Sequence, residues 1–147
     1  MEKVKIGVFG GGRGMTFINE AINSPYAELV AICDKWDRTL EHCKTHAENC
    51  GLKNVGFYTD FDEFIQHDMD AVIVAGDVAE NGLAEEYQLV YDGLKGLENC
   101  RYIMASGNHD IRMRAYSQSL ERFTAFSNAL NNGENPVDSY SFSEVIN

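Results

Sequence analysis

The chain has 147 residues, 44% hydrophobic and 24% charged, the proportions of a globular domain that buries roughly two-thirds of its unfolded surface. A net charge of −11 argues against nucleic acid as a partner, because a phosphate backbone is met by a basic face. No apolar run approaches ~18 residues and no secretory segment opens the sequence, so neither a membrane span nor export is expected.

Lys3 to Phe9 (KVKIGVF) is a short apolar strand that runs into glycines, and the spacing beyond it predicts a helix from about Met15 to Asn23, closed by Ser24-Pro25. Glu28 to Cys33 (ELVAIC) is a second strand, stopping at Asp34. Asp37 to Asn49 reads as a helix with Leu40, Cys43, Ala47 and Cys50 on one face and Gly51 past its end. Val55 to Tyr58 is a third strand, and Asp60 caps a turn of helix from Phe61 to Gln66. Asp70 to Ala75 is a fourth strand, continuously apolar after its first residue, as a strand covered on both faces should be. Ala84 to Leu97 forms the fourth helix and Arg101 to Ala105 (RYIMA) the fifth strand. A long helix runs from about Met113 to Leu130 and ends in Asn131-Asn132-Gly133. Ser139 to Val145 reads as a last strand that adds to a sheet edge, stays loose, or pairs between molecules, so the chain is expected as a monomer or an edge-mediated homodimer.

Strands alternating with helices imply one α/β domain over 1–147, a doubly wound, Rossmann-like parallel sheet with helices on both faces. Right-handed crossovers give the strand order 3-2-1-4-5, with a switch point between strands 1 and 4. The loops after strands 1, 4 and 5 then meet at one edge, where a site belongs.

The first of those loops is glycine-rich. In GVFGGGRGM, Gly10 and Gly12 fit the first two positions of G-x-G-x-x-G, while Met15 stands at the third. A helix N-terminus there offers unpaired N–H groups and partial positive charge to a pyrophosphate. Asp34 lies about twenty residues on, where an acid bonds ribose hydroxyls. Two readings stay open: a dinucleotide cradle, or glycines that only turn the chain tightly from strand to helix.

KVKIGVFGGGRGMTFINEAINSPYAELVAICDKW, continuing to VGFYTDFDEFIQHDMDAVIVA, resembles the N-terminal half of the nucleotide domain of glucose–fructose oxidoreductase and inositol dehydrogenase relatives. The likeness covers residues 3 to 75 and includes the Tyr58–Glu63 turn. It implies that Gly10, Gly12, Arg13 and Gly14 meet the pyrophosphate of NAD or NADP and that Asp34 meets the ribose. The Glu-Lys-Pro motif, whose lysine serves catalysis in that family, does not occur in this sequence, nor does its large substrate-binding sheet domain, so hydride transfer is not expected.

GDVAENG (Gly76–Gly82) and GNHD (Gly107–Asp110) each come directly after an apolar strand, one β-α-β unit apart. From about Asp70 onward the chain resembles a truncated calcineurin-like metallophosphoesterase. The resemblance implies Asp77 and Asn108 as ligands of a divalent metal such as Mn, Fe or Zn, His109 as the acid that protonates the leaving group, and Asp110 as the residue that orients its imidazole. That family's first motif, D-x-H after strand 1, is replaced here by GGGRG, and its last motifs lie beyond Asn147. Two ligand positions fall short of the four donors or so that hold a divalent ion tightly.

His42, His46 and Cys50 share a helix face at the spacing of a zinc site, although Cys50 also falls on the apolar stripe. Phe57, Phe61 and Phe64, and later Tyr116, Leu120, Phe123 and Phe126, read as core. His67 and the single Trp36 read as local packing. The four cysteines, Cys33, Cys43, Cys50 and Cys100, contain no C-x-x-C and read as reduced thiols of a cytoplasmic protein. The strand DAVIVA suits both lineages, which makes it the join of a recombined or engineered chimera. Three classes compete: a scaffold without a complete active site that keeps weak dinucleotide or phosphate binding at Gly10–Gly14, an NAD(P)-binding module, and a weak metal-dependent phosphoesterase.

Overall fold

The computed structural model describes residues 2–95, 97, 100–111 and 116–131. Along the chain run β1 (Val4–Phe9), α1 (Met15–Asn23), β2 (Ala27–Cys33), α2 (Asp37–Asn49), β3 (Gly56–Tyr58), α3 (Phe61–Phe64), β4 (Ala71–Ala75), α4 (Ala84–Leu94), β5 (Arg101–Ala105) and α5 (Tyr116–Leu130). The five strands form one parallel sheet in the order β3-β2-β1-β4-β5, as right-handed crossovers require. The expected helix starting near Met113 is described from Tyr116, and the expected strand Ser139–Val145 lies outside the described residues.

Two helices stop earlier than their patterns suggest. After Phe64, Gln66 N–H donates to Glu63 O and His67 N–H to Phe64 O, tight three-residue turns that end the α geometry. Helix α4 ends at Leu94, its last buried apolar residue, and Lys95 closes it by donating its N–H to Tyr91 O.

The chain divides into two compact units, Met1–Gly76 with Leu97–Ala105, and Asp77–Gly96 with Ser106–Asn147. The first holds the whole sheet with α1, α2 and α3. Alternation along β1 sends Ile6 and Val8 to the core shared with Ile18 of α1 and Leu40 and Cys43 of α2. Phe9 points the other way, its ring 5.0 Å from that of Phe61 and 6.3 Å from that of Phe64. The sheet is therefore covered on one face by α1 and α2 and on the other by α3. Strand β4 is buried at every residue and is paired on both sides, Ile6↔Ala71 through Phe9↔Val74 with β1 and Ala71↔Arg101 through Ala75↔Ala105 with β5. Asp70 pins its entry: its carboxylate accepts the Lys5 N–H at 2.8 Å, and its own N–H donates to Lys5 O.

In the second unit, α4 and α5 pack through aromatic rings. Tyr87 stacks on Phe126 at 5.2 Å and meets Phe123 edge-on at 6.3 Å. Phe123 and Phe126 are buried as the stripe predicts, and Leu120 is half-buried. The buried face of α5 also carries two serines, Ser119 and Ser127, which the apolar pattern did not single out. Among the described residues no helix is long and apolar enough to cross a membrane.

The hydroxyl of Ser127 is buried without a hydrogen-bond partner. Such a group keeps its desolvation cost and gains nothing in return. Ser127→Ala is expected to leave the urea midpoint unchanged or to raise stability by up to about 1 kcal/mol. A clear loss of stability in that titration would show that the hydroxyl is bonded after all.

Candidate functional site

The glycine turn belongs to the first unit. Gly10 leaves β1 with φ +97°, a conformation that L side chains resist, and its N–H donates to Cys33 O at 2.9 Å. Gly14 folds back, N–H to Gly10 O at 2.8 Å, and as N-cap of α1 accepts the Ile18 N–H. A methyl on Gly14 would lie 2.6 Å from both Gly10 O and Val8 Cγ1, so the turn lies directly on the sheet. Gly11 and Gly14 are buried, whereas Gly12 and Arg13 are exposed.

Asp34, at the end of β2, binds this turn. Its Oδ2 accepts the Gly12 N–H at 3.1 Å and its Oδ1 accepts the Trp36 N–H at 3.0 Å. Each carboxylate oxygen keeps further lone-pair capacity for a hydroxyl. The acid and the glycines expected to work together are thus joined. Beneath the turn are two buried thiols. Burial, with the charges of Asp34 and Asp60 behind it, pushes Cys33 up to about 11, and burial and Asp34 raise Cys43 as well. Both stay protonated near neutral pH, as apolar packing groups. Trp36 is 65% exposed rather than packed, with the Lys35 ammonium 5.3 Å from its ring centre.

The two motif loops belong to the second unit. Asp77 has φ +52°, the one non-glycine residue among those described in that region. Its Oδ1 accepts the His109 N–H at 3.0 Å. Asp110 is fully buried; Oδ1 accepts the Ala79 N–H at 2.9 Å and Oδ2 the Gly107 N–H at 2.8 Å. Burial raises its carboxyl above the ordinary range, the backbone donors of Gly107, Ala79 and Asp77 pull it back, and the charge of Asp77 raises it again. The Tyr87 hydroxyl donates to Asp110 O at 3.1 Å and is itself raised, first by burial.

The expectation that Asp110 orients the His109 imidazole is corrected by the geometry. His109 Nδ1 meets Glu80 O at 3.0 Å and Glu80 Oε1 at 3.5 Å, while the Asp110 carboxylate is directed at backbone amides. The donors that satisfy Asp110 lie on two loops, and their backbone N–H groups outcompete a side chain in a buried place. Glu80, Gly107 and Tyr87 were not foreseen as partners, because backbone-mediated contacts leave no residue-type signal. Asn108 is exposed. Among the described residues no group of three or more His, Cys, Asp and Glu could hold a metal ion. The His42–His46–Cys50 face is no exception: His46 Nε2 pairs with Asn19 Oδ1 at 2.6 Å, and Cys50, at the C-cap where α2 has ended, is exposed rather than part of the apolar stripe.

A glycine turn between β1 and α1, an acid after β2 and a 3-2-1-4-5 parallel sheet define a Rossmann-like α/β protein. Solved structures of the same fold include scyllo-inositol dehydrogenase from Lactobacillus casei with NAD(H) and scyllo-inositol, 21% identical over 86% of this chain with a TM-score of 0.53. The WlbA dehydrogenase from Bordetella pertussis, in complex with NADH and UDP-GlcNAcA, is 19% identical over 88% with a TM-score of 0.53. An oxidoreductase from Agrobacterium radiobacter in complex with NAD+, L-tartaric acid and magnesium is 12% identical over 87% with a TM-score of 0.55. The chain spans about a third of these proteins, 34%, 35% and 33% of their lengths, and the likeness is one of fold. The family profile of calcineurin-like phosphoesterases matches residues 42–147, and the chain belongs to that family. No curated protein matches the chain by sequence. The phosphoesterase match reaches back through β4 and β3 into α2, so it extends into the part of the chain whose fold is that of the dehydrogenase structures.

The crowding at Gly14 makes a direct test of the turn. Gly14→Ala is expected to cost about 1–3 kcal/mol in urea unfolding, because backbone and Val8 must both give way. An unchanged midpoint would mean that the turn is not seated on β1 in this way.

Proposed function

We propose that this chain is a recombined α/β scaffold that binds a dinucleotide, NAD or NADP, at its glycine turn and turns over neither a hydride donor nor a phosphate ester. The observation that supports it is the Asp34 carboxylate bonded to the Gly12 N–H, which places an acid beside the exposed Gly12-Arg13 segment at the start of α1. The amides of Gly10, Gly12 and Gly14 are bonded within the chain, so the pyrophosphate would lie along the exposed Gly12-Arg13 edge, in exchange for the Gly12–Asp34 bond, and Asp34 would take the ribose hydroxyls. A bound dinucleotide would supply a nicotinamide for hydride transfer. No Glu-Lys-Pro motif comes after β4 to use it. The NAD-bound relatives of the same fold support the cofactor class, and four free thiols suit a reducing cytoplasm.

A second reading, a metal-dependent phosphoesterase acting through Asp77, Asn108 and His109, is favoured by the family match and by the partly exposed His109. The donor set fits a two-metal centre poorly. One Asp77 oxygen is held by a backbone amide, and among the described residues no group of three or more His, Cys, Asp and Glu could hold a metal ion.

Titration of the chain with NAD and with NADP, followed by Trp36 fluorescence and calorimetry, tests the first reading. Saturable binding is expected, weakened about tenfold or more by Asp34→Ala. Absence of any saturable signal refutes it. Manganese-dependent release of p-nitrophenol from an aryl phosphate, lost in Asp77→Ala and His109→Ala, would establish the second reading instead; release no faster than a blank is expected.

A further inference from the structure

We infer that the loops Asp77–Gly82 and Gly107–Asp110 form a metal-independent clasp, in which the carboxylates of Asp77 and Asp110 hold backbone amides and Asp77, one of the two expected metal ligands, is engaged by the chain itself. Three carboxylate-to-amide bonds define it. Asp77 Oδ1 takes the His109 N–H, Asp110 Oδ1 takes the Ala79 N–H, and Asp110 Oδ2 takes the Gly107 N–H. The first two cross from one loop to the other, in opposite directions. The loops also approach closely at two glycines. A methyl on Gly107 would collide with the Asp77 carboxylate, and one on Gly82 would sit 2.9 Å from Asp110 O. Arg122 holds the far end, donating to Gly82 O at 3.1 Å, and Tyr87 donates to Asp110 O.

The physical point is where the compensating charge comes from. A carboxylate taken out of water is stabilised by a cation or by several N–H dipoles. Asp110, with no exposed surface, has N–H donors on both oxygens, which leaves it inward-facing and unavailable as a ligand. Asp77 lies in the left-handed region, its Oδ1 at the His109 amide. The loops therefore gain their order from the chain itself. This inference concerns the second unit and stands apart from the dinucleotide reading of the first.

The test uses the full chain after EDTA treatment and dialysis, with thermal unfolding and calorimetry in the presence of MnCl2 or ZnCl2. The clasp predicts a Tm within about 1 °C with or without metal, and no saturable heat. Asp110→Asn, which keeps one acceptor oxygen but turns an amide donor against the other N–H, is expected to lower Tm by about 5–10 °C. Asp77→Asn, which retains an acceptor for the His109 N–H, is expected to stay within about 2 °C of the parent. A saturable rise of Tm with manganese that disappears in Asp77→Asn overturns the inference, and so does an unchanged Tm in Asp110→Asn. Should Asp110→Asn fail to fold, the metal titration of the parent chain decides alone.

Discussion

Strand β4 is the constraint on which the rest depends. All five of its residues are buried and both of its edges are bonded, to β1 on one side and β5 on the other. A strand in that position must be apolar on both faces and can carry no chemistry of its own. Ala-Val-Ile-Val-Ala meets that demand for any doubly wound sheet, whatever function the sheet carries. The candidate residues therefore lie in the turns that leave the strands: the glycines after β1, Asp34 after β2, and Asp77, two residues past the end of β4.

Those turns differ in how they satisfy their polar groups. At Gly10–Gly14 the buried positions are glycines crowded by Val8, Ala75 and Cys43, and the exposed positions are Gly12 and Arg13. The turn thus keeps a packed base and an exposed outer edge. At Asp77–Gly82 and Gly107–Asp110 the carboxylates of Asp77 and Asp110 meet backbone amides, two of the three bonds running from one loop to the other. A buried carboxylate with donors on both oxygens strengthens the fold and has little left to offer a metal. The same residue types therefore border an exposed edge in one place and serve cohesion in another.

Much of the architecture was legible from periodicity. The strands and the first two helices fall where apolar spacing, Gly51 and Ser24-Pro25 put them, since sheet and helix periods differ and turns carry their own residues. That Asp34 and the glycines belong together was legible too, because the turn after one strand and the acid after the next stand at a recognisable spacing. The features that escaped notice act through backbone groups. Nothing in the letters GNHD says that its last carboxylate meets the amides of Ala79 and Gly107, or that the carbonyl of Glu80 reaches the imidazole. The two serines on the buried face of α5 and the early ends of α3 and α4 escaped for a related reason: tertiary packing and tight turns override a periodic pattern.

Amide chemical-shift mapping by 15N-resolved NMR, with NAD added to the labelled chain, tests the central claim most directly: a glycine turn that takes the dinucleotide, in a chain whose phosphoesterase-type loops are satisfied by their own amides. The account predicts shifts confined to Gly10–Gly14 and Asp34–Trp36, with the amides of Ala79, Gly107 and His109 unmoved. Shifts centred on Asp77–Gly82 and Gly107–Asp110, with the glycine turn silent, would contradict it.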